Sequence, residues 1–300
     1  MSLPCFLVTS LSGSALLADA ATCAASGQLE DNQDAAGVFQ DPMGRTVLYA
    51  IDGVNIYAGA KCVHDTKWHV RALEDGLRIG ALLADGEPRL VLREAIEHVR
   101  DIHACGISDV DHPAAAMMVA VVEGLRVRSA GLADTSLIVV DGNSVRRFSD
   151  DRHTRACENP ENVELWAAWK RQHAQWRTVR SLDERIALLK RVERPYHEVR
   201  NRIDLPDRTF WLASIEPIAA DYAITTDFKV RPGATLIVST DGLESKPIDW
   251  PSSVQKLHVD GAAAFLRHVR KMRGDIGDGI WPYPHPDMSI SFVQVPLFSD

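Results

Sequence analysis

The sequence predicts an α+β fold in which antiparallel β-sheets pack on one another with helices outside. Short runs rich in Val, Ile, Leu and aromatic residues, each bounded by Gly, Asp, Asn or Pro, predict strands in two regions of the chain. Helical periodicity appears between these runs, and the helices come in pairs rather than in a regular βαβ alternation. Because no internal repeat or low-complexity linker interrupts the pattern, we expect residues 1–300 to form a single domain.

The predicted strands form one group in each half of the chain. The first group consists of Phe6–Thr9, Thr46–Ile51, Ala115–Val122, Gly124–Ser129 and Ser136–Val140. The second group consists of Phe210–Ile215, Thr235–Ser239 and Met288–Val295. Asp141-Gly142-Asn143 predicts a hairpin turn that joins Leu137–Val140 to Ser144–Phe148.

Amphipathic periodicity predicts helices over Trp68–Leu83, Pro88–Cys105, Val163–Trp176, Leu182–Val192 and Gly261–Met272. A basic helical insertion spans about residues 160–202. Between Lys170 and Arg202 there are ten basic and four acidic residues, a local net charge of +6 within a chain of −8. Two interpretations remain open: a solvated helix face, or a positive lid that attracts a phosphorylated substrate.

Composition excludes several function classes. Hydrophobic residues make up 46% and charged residues 25%, which is typical of a globular protein. The net charge of −8 disfavours nucleic acid as a partner. No run of about 18 apolar residues predicts a membrane span, and no Lys or Arg precedes Arg45, so the basic start of a signal peptide is missing. We therefore expect a cytoplasmic protein.

The chain has an odd number of cysteines, the five residues Cys5, Cys23, Cys62, Cys105 and Cys157. They are widely spaced, and no two of them form a C-x-x-C motif. This pattern favours neither a disulfide framework nor a zinc knuckle, and it fits a reducing compartment. We expect these cysteines to be small buried side chains.

Three aspartates stand where turns meet strands. Asp34 precedes an apolar run, Asp52-Gly53 follows Val47–Ile51, and Asp241-Gly242 follows Leu236–Thr240. Carboxylates at the ends of buried strands can converge on one point, and Mg²⁺ or Mn²⁺ prefers such an all-oxygen environment. A single Asp-Gly after a strand is usually only a turn, so the signal lies in the order and context of all three.

That order resembles the type 2C metal-dependent Ser/Thr protein phosphatases, in particular their bacterial members. The stretches that carry the resemblance run across most of the chain: Asn32-Gln33-Asp34-Ala35, Leu48–Gly53, Pro113–Val122, Leu125–Ser129, Ala133–Ser136, Leu137–Phe148, Gly233–Leu243 and Pro286–Ile290. The resemblance implies a central antiparallel β-sandwich flanked by helices on both faces, a four-layer α-β-β-α arrangement. It also implies a metal-dependent phosphoric monoester hydrolase that uses a metal-activated water on phosphorus.

The resemblance assigns roles to matching positions. Asp52 would bridge two ions, Mg²⁺ or Mn²⁺, and Gly53 would offer its carbonyl oxygen. Asp241 would bind the first ion, and Asp34 would act through bound water on the second. Asp134 matches the residue that some members use for a third, looser ion. Asp34, Asp52 and Asp241 are therefore the expected catalytic residues.

Near the end of the chain the sequence departs from the family pattern. When Met288-Ser289 is aligned with the last conserved strand of the family, Pro286 falls on the position of a metal-binding aspartate. Proline offers no ligand, so either Asp287 or His285 would take over the role. Asp287 is the candidate that we include among the metal ligands.

Two further departures lie near the start of the chain. Leu29 occupies the position of the family's phosphate-binding arginine, and the loss of a bidentate partner weakens phosphate binding. Val54 stands where many members carry His or Met, so a general acid is missing there. His64 and His285 are candidate replacements, although a lone histidine is more often structural.

Three functions fit these observations. The first is a phosphatase for phosphoserine and phosphothreonine proteins, which the retained aspartates favour. The second is a pseudophosphatase that binds a phosphoprotein without turnover, which Leu29, Val54 and Pro286 favour. The third is a phosphatase for a small phosphorylated metabolite, with the helices around Val163–Val192 reshaping the pocket. The substrate and the oligomeric state stay open.

Overall fold

The computed structural model describes residues 6–13, 16–23, 32–57, 59–106, 108–178, 181, 184, 194–205, 207–243, 248–272 and 287–296. The strands are β1 (Phe6–Gly13), β2 (Leu16–Cys23), β3 (Asp34–Gln40), β4 (Thr46–Val54), β5 (Ala114–Glu123), β6 (Arg126–Leu132), β7 (Ser136–Asp141), β8 (Ser144–Ser149), β9 (Ile224–Lys229), β10 (Thr235–Ser239) and β11 (Met288–Gln294). The helices are α1 (Thr66–Leu83), α2 (Pro88–Ile102), α3 (Arg152–Glu158), α4 (Val163–Thr178), α5 (Arg194–Val199) and α6 (Trp250–Met272).

The strands form two sheets in which neighbouring strands are antiparallel. One sheet has the order β1-β2-β11-β10-β7-β8, and the other has the order β3-β4-β5-β6-β9. Chain neighbours β3 and β4 pair directly, whereas β10 and β11 enter the first sheet between β2 and β7. The two sheets therefore each combine strands from both halves of the chain.

The alternation of side chains along β4 explains the layering. Leu48 and Ala50 face the other sheet, where they pack in one core with Leu236 of β10. Tyr49 and Ile51 point the opposite way, into a second core against α1 and α2. On the far side, α6 packs on the outer face of the six-stranded sheet in a third core. This confirms the predicted α-β-β-α sandwich with helices on both faces.

Helices α1 and α2 pack closely because glycines line their contact. A Cβ atom on Gly76 would lie 2.7 Å from Ala95 Cα, and one on Gly80 would lie 2.8 Å from the Val91 carbonyl oxygen. The two helices are joined by only four residues, 84–87, so they run antiparallel. The start of α1 is therefore beside the end of α2.

Most strand predictions are confirmed, but β2, β3 and β9 were missed. β2 and β3 are rich in Ala, and β3 contains Asp and Gly, which gives a weak strand signal. The segment Phe210–Ile215 was wrongly predicted as a strand. Its backbone instead bonds to Asn201, which donates to the Phe210 carbonyl and accepts from Leu212 N, each at 2.9 Å. Only an isolated bridge from Ala213 reaches β5.

The helix predictions for α1, α2 and α4 are confirmed within a few residues, whereas α3 and α5 were missed because they are only one or two turns long. The predicted helix Leu182–Val192 lies almost entirely outside the described residues. The predicted helix Gly261–Met272 is confirmed as the second of two helical segments that make up α6. The two segments meet at Gly261, whose φ of 79° is non-helical, and the first segment, which begins at Trp250, was missed.

Asp19 of β2 caps the second half of α6 at this break. Asp19 Oδ2 accepts a hydrogen bond from Ala262 N at 2.9 Å, and Oδ1 accepts one from Ala20 N at 2.8 Å. The carboxylate is buried between the sheet and the helix. It satisfies a helix N–H that the glycine break would otherwise leave without an acceptor.

We expect Asp19→Ala to lower the free energy of unfolding by about 1–3 kcal/mol, because a buried N–H loses its partner. Chemical denaturation of the variant beside Asp19→Asn measures this. Asp19→Asn keeps one carbonyl oxygen and should lose less. An equal loss in both variants would contradict the capping role.

The cysteines differ in part from the expectation. Cys23 is buried as expected, but it is disulfide-bonded, so the expectation of no disulfide is wrong for this residue. Cys157 is buried, whereas Cys62 and Cys105 are only half-buried. In the portion of the chain with a described structure, no helix has both the length and the apolar character needed to cross a membrane.

Candidate active site

Asp34 and Asp52 lie directly opposite each other on β3 and β4. Each is two residues from an alanine, Ala36 or Ala50, that faces the other sheet, so both carboxylates share that inner face. Asp34 is buried and Asp52 is half-buried, and they stand at the end of the sheet where β3 begins and β4 is about to end. The predicted convergence of these two aspartates is therefore present.

Asp241 and Asp287 reach the same end from the other sheet. Asp241 opens a short 3₁₀ turn just after β10, and Asp287 immediately precedes β11. Since β10 and β11 pair with Ser239 opposite Ile290, the two aspartates flank adjacent strand ends. Gly242 makes this approach possible, because a Cβ atom there would lie 2.0 Å from the Asp287 carbonyl oxygen.

Hydrogen bonds join the two sheets at this point. Gln33 N donates to Asp287 Oδ2 at 2.7 Å, across 254 residues of sequence. Thr240 hydrogen-bonds to the Asp34 carboxylate, and its Oγ1 accepts from Ser289 N at 3.0 Å. These contacts hold the start of β3 against the ends of β10 and β11.

Asp134 lies in the turn between β6 and β7, which Asp150 braces. Ala133 has a φ of 58°, a left-handed conformation that is rare outside glycine, and its N–H donates to Asp150 Oδ2 at 3.3 Å. Arg152 in turn donates to the buried Asp150 carboxylate through Nε at 2.8 Å and Nη2 at 2.6 Å. His153 Nδ1 lies 3.5 Å from Asp134 Oδ2. These hydrogen bonds hold the turn, and with it Asp134, in one conformation.

The aspartates perturb one another strongly. Burial raises the pKa of Asp34 well above its usual range, and the charges of Asp287 and Asp241 raise it further, against the lowering effect of the Thr240 hydrogen bond. Burial likewise raises the pKa of Asp52, followed by the charges of Asp34, Asp241 and Asp134. Burial is the larger cause at both residues, and repulsion among the neighbouring carboxylates adds to it.

A divalent cation fits this donor set. Asp34 Oδ2 is buried and has no hydrogen-bond partner among the residues that the structure describes, so it is an acceptor with unused capacity. The donors are carboxylate oxygens, which Mg²⁺ and Mn²⁺ prefer, and positive charge would offset the repulsion. Asp34 is buried and Asp52 half-buried, whereas Asp241 is exposed, so the site opens to solvent.

Gly53 is also required by the local packing. A Cβ atom on Gly53 would lie 2.4 Å from the Gln33 carbonyl oxygen and 2.6 Å from Thr66 Cγ2. Gly53 N donates to that same Gln33 oxygen at 3.1 Å. The glycine therefore lets β4, β3 and the start of α1 meet beside Asp52.

Several residues considered in the sequence cannot be placed or lie elsewhere. Leu29, His285 and Pro286 are outside the described residues. Val54, at the end of β4, packs on a separate apolar cluster that includes Phe210. His64 turns its Nδ1 toward the thiols of Cys62 and Cys105 rather than toward a carboxylate.

The basic segment supplies fewer free cations than its composition suggested. Arg200 is buried and pairs with Asp109, and Arg202 pairs with Asp204. Both are therefore committed to structural contacts and are poor replacements for a phosphate-binding arginine. Much of the remaining segment lies outside the described residues.

The residues that support the aspartates were not predicted from the sequence. Gln33 and Thr240 were read only as motif neighbours, yet they bond to Asp287 and Asp34. The bond of Asp150 to Ala133 was not foreseen either. For Gln33 and Thr240 the available signal was adjacency to a candidate ligand, whereas Asp150 is 16 positions from Asp134 and gave no such signal.

Comparison with known proteins shows similarity in structure. No family model matches the chain, and no curated protein matches it in sequence. Among solved structures, it is similar to the photosystem II phosphatase PBCP, with a TM-score of 0.58 and 13% identity over 94% of this chain and 100% of that one. It is also similar to the serine/threonine phosphatase Stp1 from Staphylococcus aureus, with a TM-score of 0.53 and 13% identity over 97% and 98%.

A third similar structure is the catalytic domain of the serine/threonine protein phosphatase PstP in complex with two manganese ions. Its TM-score is 0.52 and its identity 11%, over 94% of this chain and 99% of that one. The similarity extends over nearly the whole of both chains in each case, whereas the sequences have diverged widely. The chain therefore has the type 2C phosphatase fold that its sequence motifs led us to expect.

Proposed function

We propose that the protein is a metal-dependent phosphatase that hydrolyses phosphoserine and phosphothreonine. The observation that carries the proposal is the meeting of Asp34, Asp52, Asp241 and Asp287 at one end of the sandwich, with one buried carboxylate oxygen left without a partner among the described residues. Such an arrangement is unfavourable for stability, and it is expected where a cation is to be bound.

The ions would be Mg²⁺ or Mn²⁺, held by Asp52, the Gly53 carbonyl, Asp241, Asp34 and Asp287. Asp134 would contribute to a third, looser position. When bound, such ions activate water for attack on phosphorus and offset the negative charge of the phosphate. The position of Asp287, bonded to Gln33 N, supports its role as the replacement for the aspartate that Pro286 displaces.

The chain's own contribution is to hold the carboxylates in place before substrate arrives. Asp34 and Asp52 are fixed by paired strands, and Asp34 is oriented by its bond to Thr240. Asp150 and Arg152 fix the turn that carries Asp134. The exposed Asp241 marks the side from which a phosphate monoester can enter. Fixed donors need little reorganisation during the reaction, which favours catalysis.

The second candidate is a pseudophosphatase that binds a phosphoprotein without turnover. Leu29 in place of an arginine favours it, as does the engagement of Arg200 and Arg202 in ion pairs. A small phosphorylated metabolite as substrate is the third. The assay below separates all three.

Purified protein incubated with para-nitrophenyl phosphate should release nitrophenol with Mn²⁺ and stop when EDTA is added. Phosphoserine and phosphothreonine peptides should then be turned over faster than small phosphometabolites. Mn²⁺ binding at the aspartates without turnover of any substrate would favour the pseudophosphatase. A preference for metabolites would favour the third candidate, and absence of Mn²⁺ binding at the aspartates would contradict both enzymatic proposals.

A further inference from the structure

A second group of ligand-type side chains lies outside the aspartate site, at the open end of the α1–α2 pair. Cys62 and His64 come just before α1, and His103 and Cys105 come just after α2. Their ligand atoms all lie within 4.8 Å of one another. The first pair has the pattern C-x-H and the second the pattern H-x-C, with His64 and His103 39 positions apart in the sequence. Because α1 and α2 are antiparallel and joined by a short loop, the two pairs become neighbours.

The distances among the four atoms match tetrahedral coordination. Cys62 Sγ lies 3.3 Å from His103 Nε2, and Cys105 Sγ lies 3.4 Å from His64 Nδ1. Cys62 Sγ and His64 Nδ1 are 3.8 Å apart. With zinc–sulfur and zinc–nitrogen bonds of about 2.3 and 2.1 Å, a tetrahedral Zn²⁺ separates its sulfur and nitrogen ligands by about 3.6 Å.

The surroundings of the imidazoles hold them in these orientations. The His64 ring stacks on Trp68 with centroids 3.8 Å apart, and the His103 ring meets His112 edge-on at 4.1 Å. His64 N donates to Cys62 Sγ at 3.4 Å, a backbone bond of the kind that supports a thiolate ligand. All four ligand side chains are partly buried, which suits a closed site.

We propose that Cys62, His64, His103 and Cys105 form a structural Zn²⁺ site that clamps the start of α1 to the end of α2. Two thiolates and two imidazoles make a closed Cys₂His₂ set with no open position, which is typical of structural rather than catalytic zinc. The site is distinct from the aspartates, whose all-oxygen donors suit harder cations. It does not depend on the phosphatase activity.

The clamp would also support the end of β4. Thr66, the first residue of α1, donates from Oγ1 to the Val54 carbonyl at 3.3 Å and packs against Gly53. Zinc that fixes the residues just before Thr66 would therefore hold α1 against the strand that carries Asp52. Loss of zinc should lower stability first and phosphatase activity only as a consequence.

Cobalt substitution tests the proposal directly. The full-length chain, stripped of metal under reducing conditions and titrated with Co²⁺, should show sulfur-to-cobalt charge-transfer absorption and tetrahedral d–d bands at about one equivalent. Added Zn²⁺ should displace the Co²⁺ and abolish these absorption bands. The protein purified without chelator should contain about one zinc that is released by a thiol-modifying reagent.

Matched variants identify the ligands. Cys62→Ser and Cys105→Ser should each lose the charge-transfer band and one equivalent of zinc, whereas Cys157→Ser, at the buried thiol beside His153, should keep both. Asp52→Asn should also keep the band, which separates this site from the aspartates. The proposal is overturned if wild-type protein binds Co²⁺ without sulfur absorption, or if mass spectrometry finds Cys62 and Cys105 joined as a disulfide in place of bound zinc.

Discussion

We expect Asp52→Asn to lower the proposed phosphatase activity by roughly 10³-fold or more, since it removes the carboxylate expected to bridge two ions and several kcal/mol of transition-state stabilisation with it. The same substitution should raise the free energy of unfolding in EDTA by about 1–2 kcal/mol, because it removes a carboxylate whose charge is disfavoured first by burial and then by the charges of Asp34 and Asp241. Activity and metal-free stability thus change in opposite directions.

The measurement is a pair of denaturation curves, with EDTA and with Mn²⁺, alongside the activity assay. Wild-type protein should be stabilised by Mn²⁺, whereas Asp52→Asn should respond weakly. Asp85→Asn is the matched control, because Asp85 also precedes a glycine but its side chain is 93% exposed. If Asp52→Asn destabilised the metal-free protein and left Mn²⁺-dependent activity unchanged, the assigned role of Asp52 would be wrong.

We expect Gly242→Ala to have the second-largest effect, on both stability and Mn²⁺ affinity. Its Cβ would lie 2.0 Å from the Asp287 carbonyl oxygen, which is backbone and cannot rotate away. The strand ends must separate, which we expect to lower the free energy of unfolding by about 3 kcal/mol. Asp287 would move from its bond to Gln33 N, so Mn²⁺ affinity and phosphatase activity should fall as well.

Gly142→Ala separates this steric effect from the general cost of replacing glycine. Gly142 lies in the β7–β8 hairpin with a φ of 61° and has open space around the Cβ position. Its replacement should cost only about 1 kcal/mol of backbone strain and leave Mn²⁺ binding intact. Equal metal affinity in Gly242→Ala and wild-type protein would show that the contact with Asp287 does not position a ligand.

The strands that carry Asp52 and Asp241 could be predicted from sequence because each is an apolar run that ends in Asp-Gly. β3 could not be predicted as a strand, since its Ala-rich sequence becomes extended only by pairing with β4. Its aspartate was nevertheless found, because Asn32-Gln33-Asp34 carried a family resemblance that does not depend on strand propensity.

The proposed zinc ligands, in contrast, could not be predicted from the sequence. Cys62 and Cys105 were expected to be small buried side chains, because no C-x-x-C motif links them, and His64 was considered only as a replacement for a general acid. His103 was not singled out from the sequence. The proximity of these four residues results from tertiary structure: glycines at positions 76 and 80 bring α1 and α2 close enough to align the two loops. Helix pairing of this kind is not visible in local spacing.

The central claim is that the aspartates from both sheets bind divalent cations together. Anomalous diffraction from a crystal of the wild-type protein soaked in Mn²⁺ tests it most directly. We predict manganese peaks with carboxylate oxygens of Asp34, Asp52 and Asp241 near them, and direct ligands within about 2.5 Å. Well-diffracting crystals with no manganese peak beside Asp52, at a Mn²⁺ concentration that saturates activity, would contradict the account.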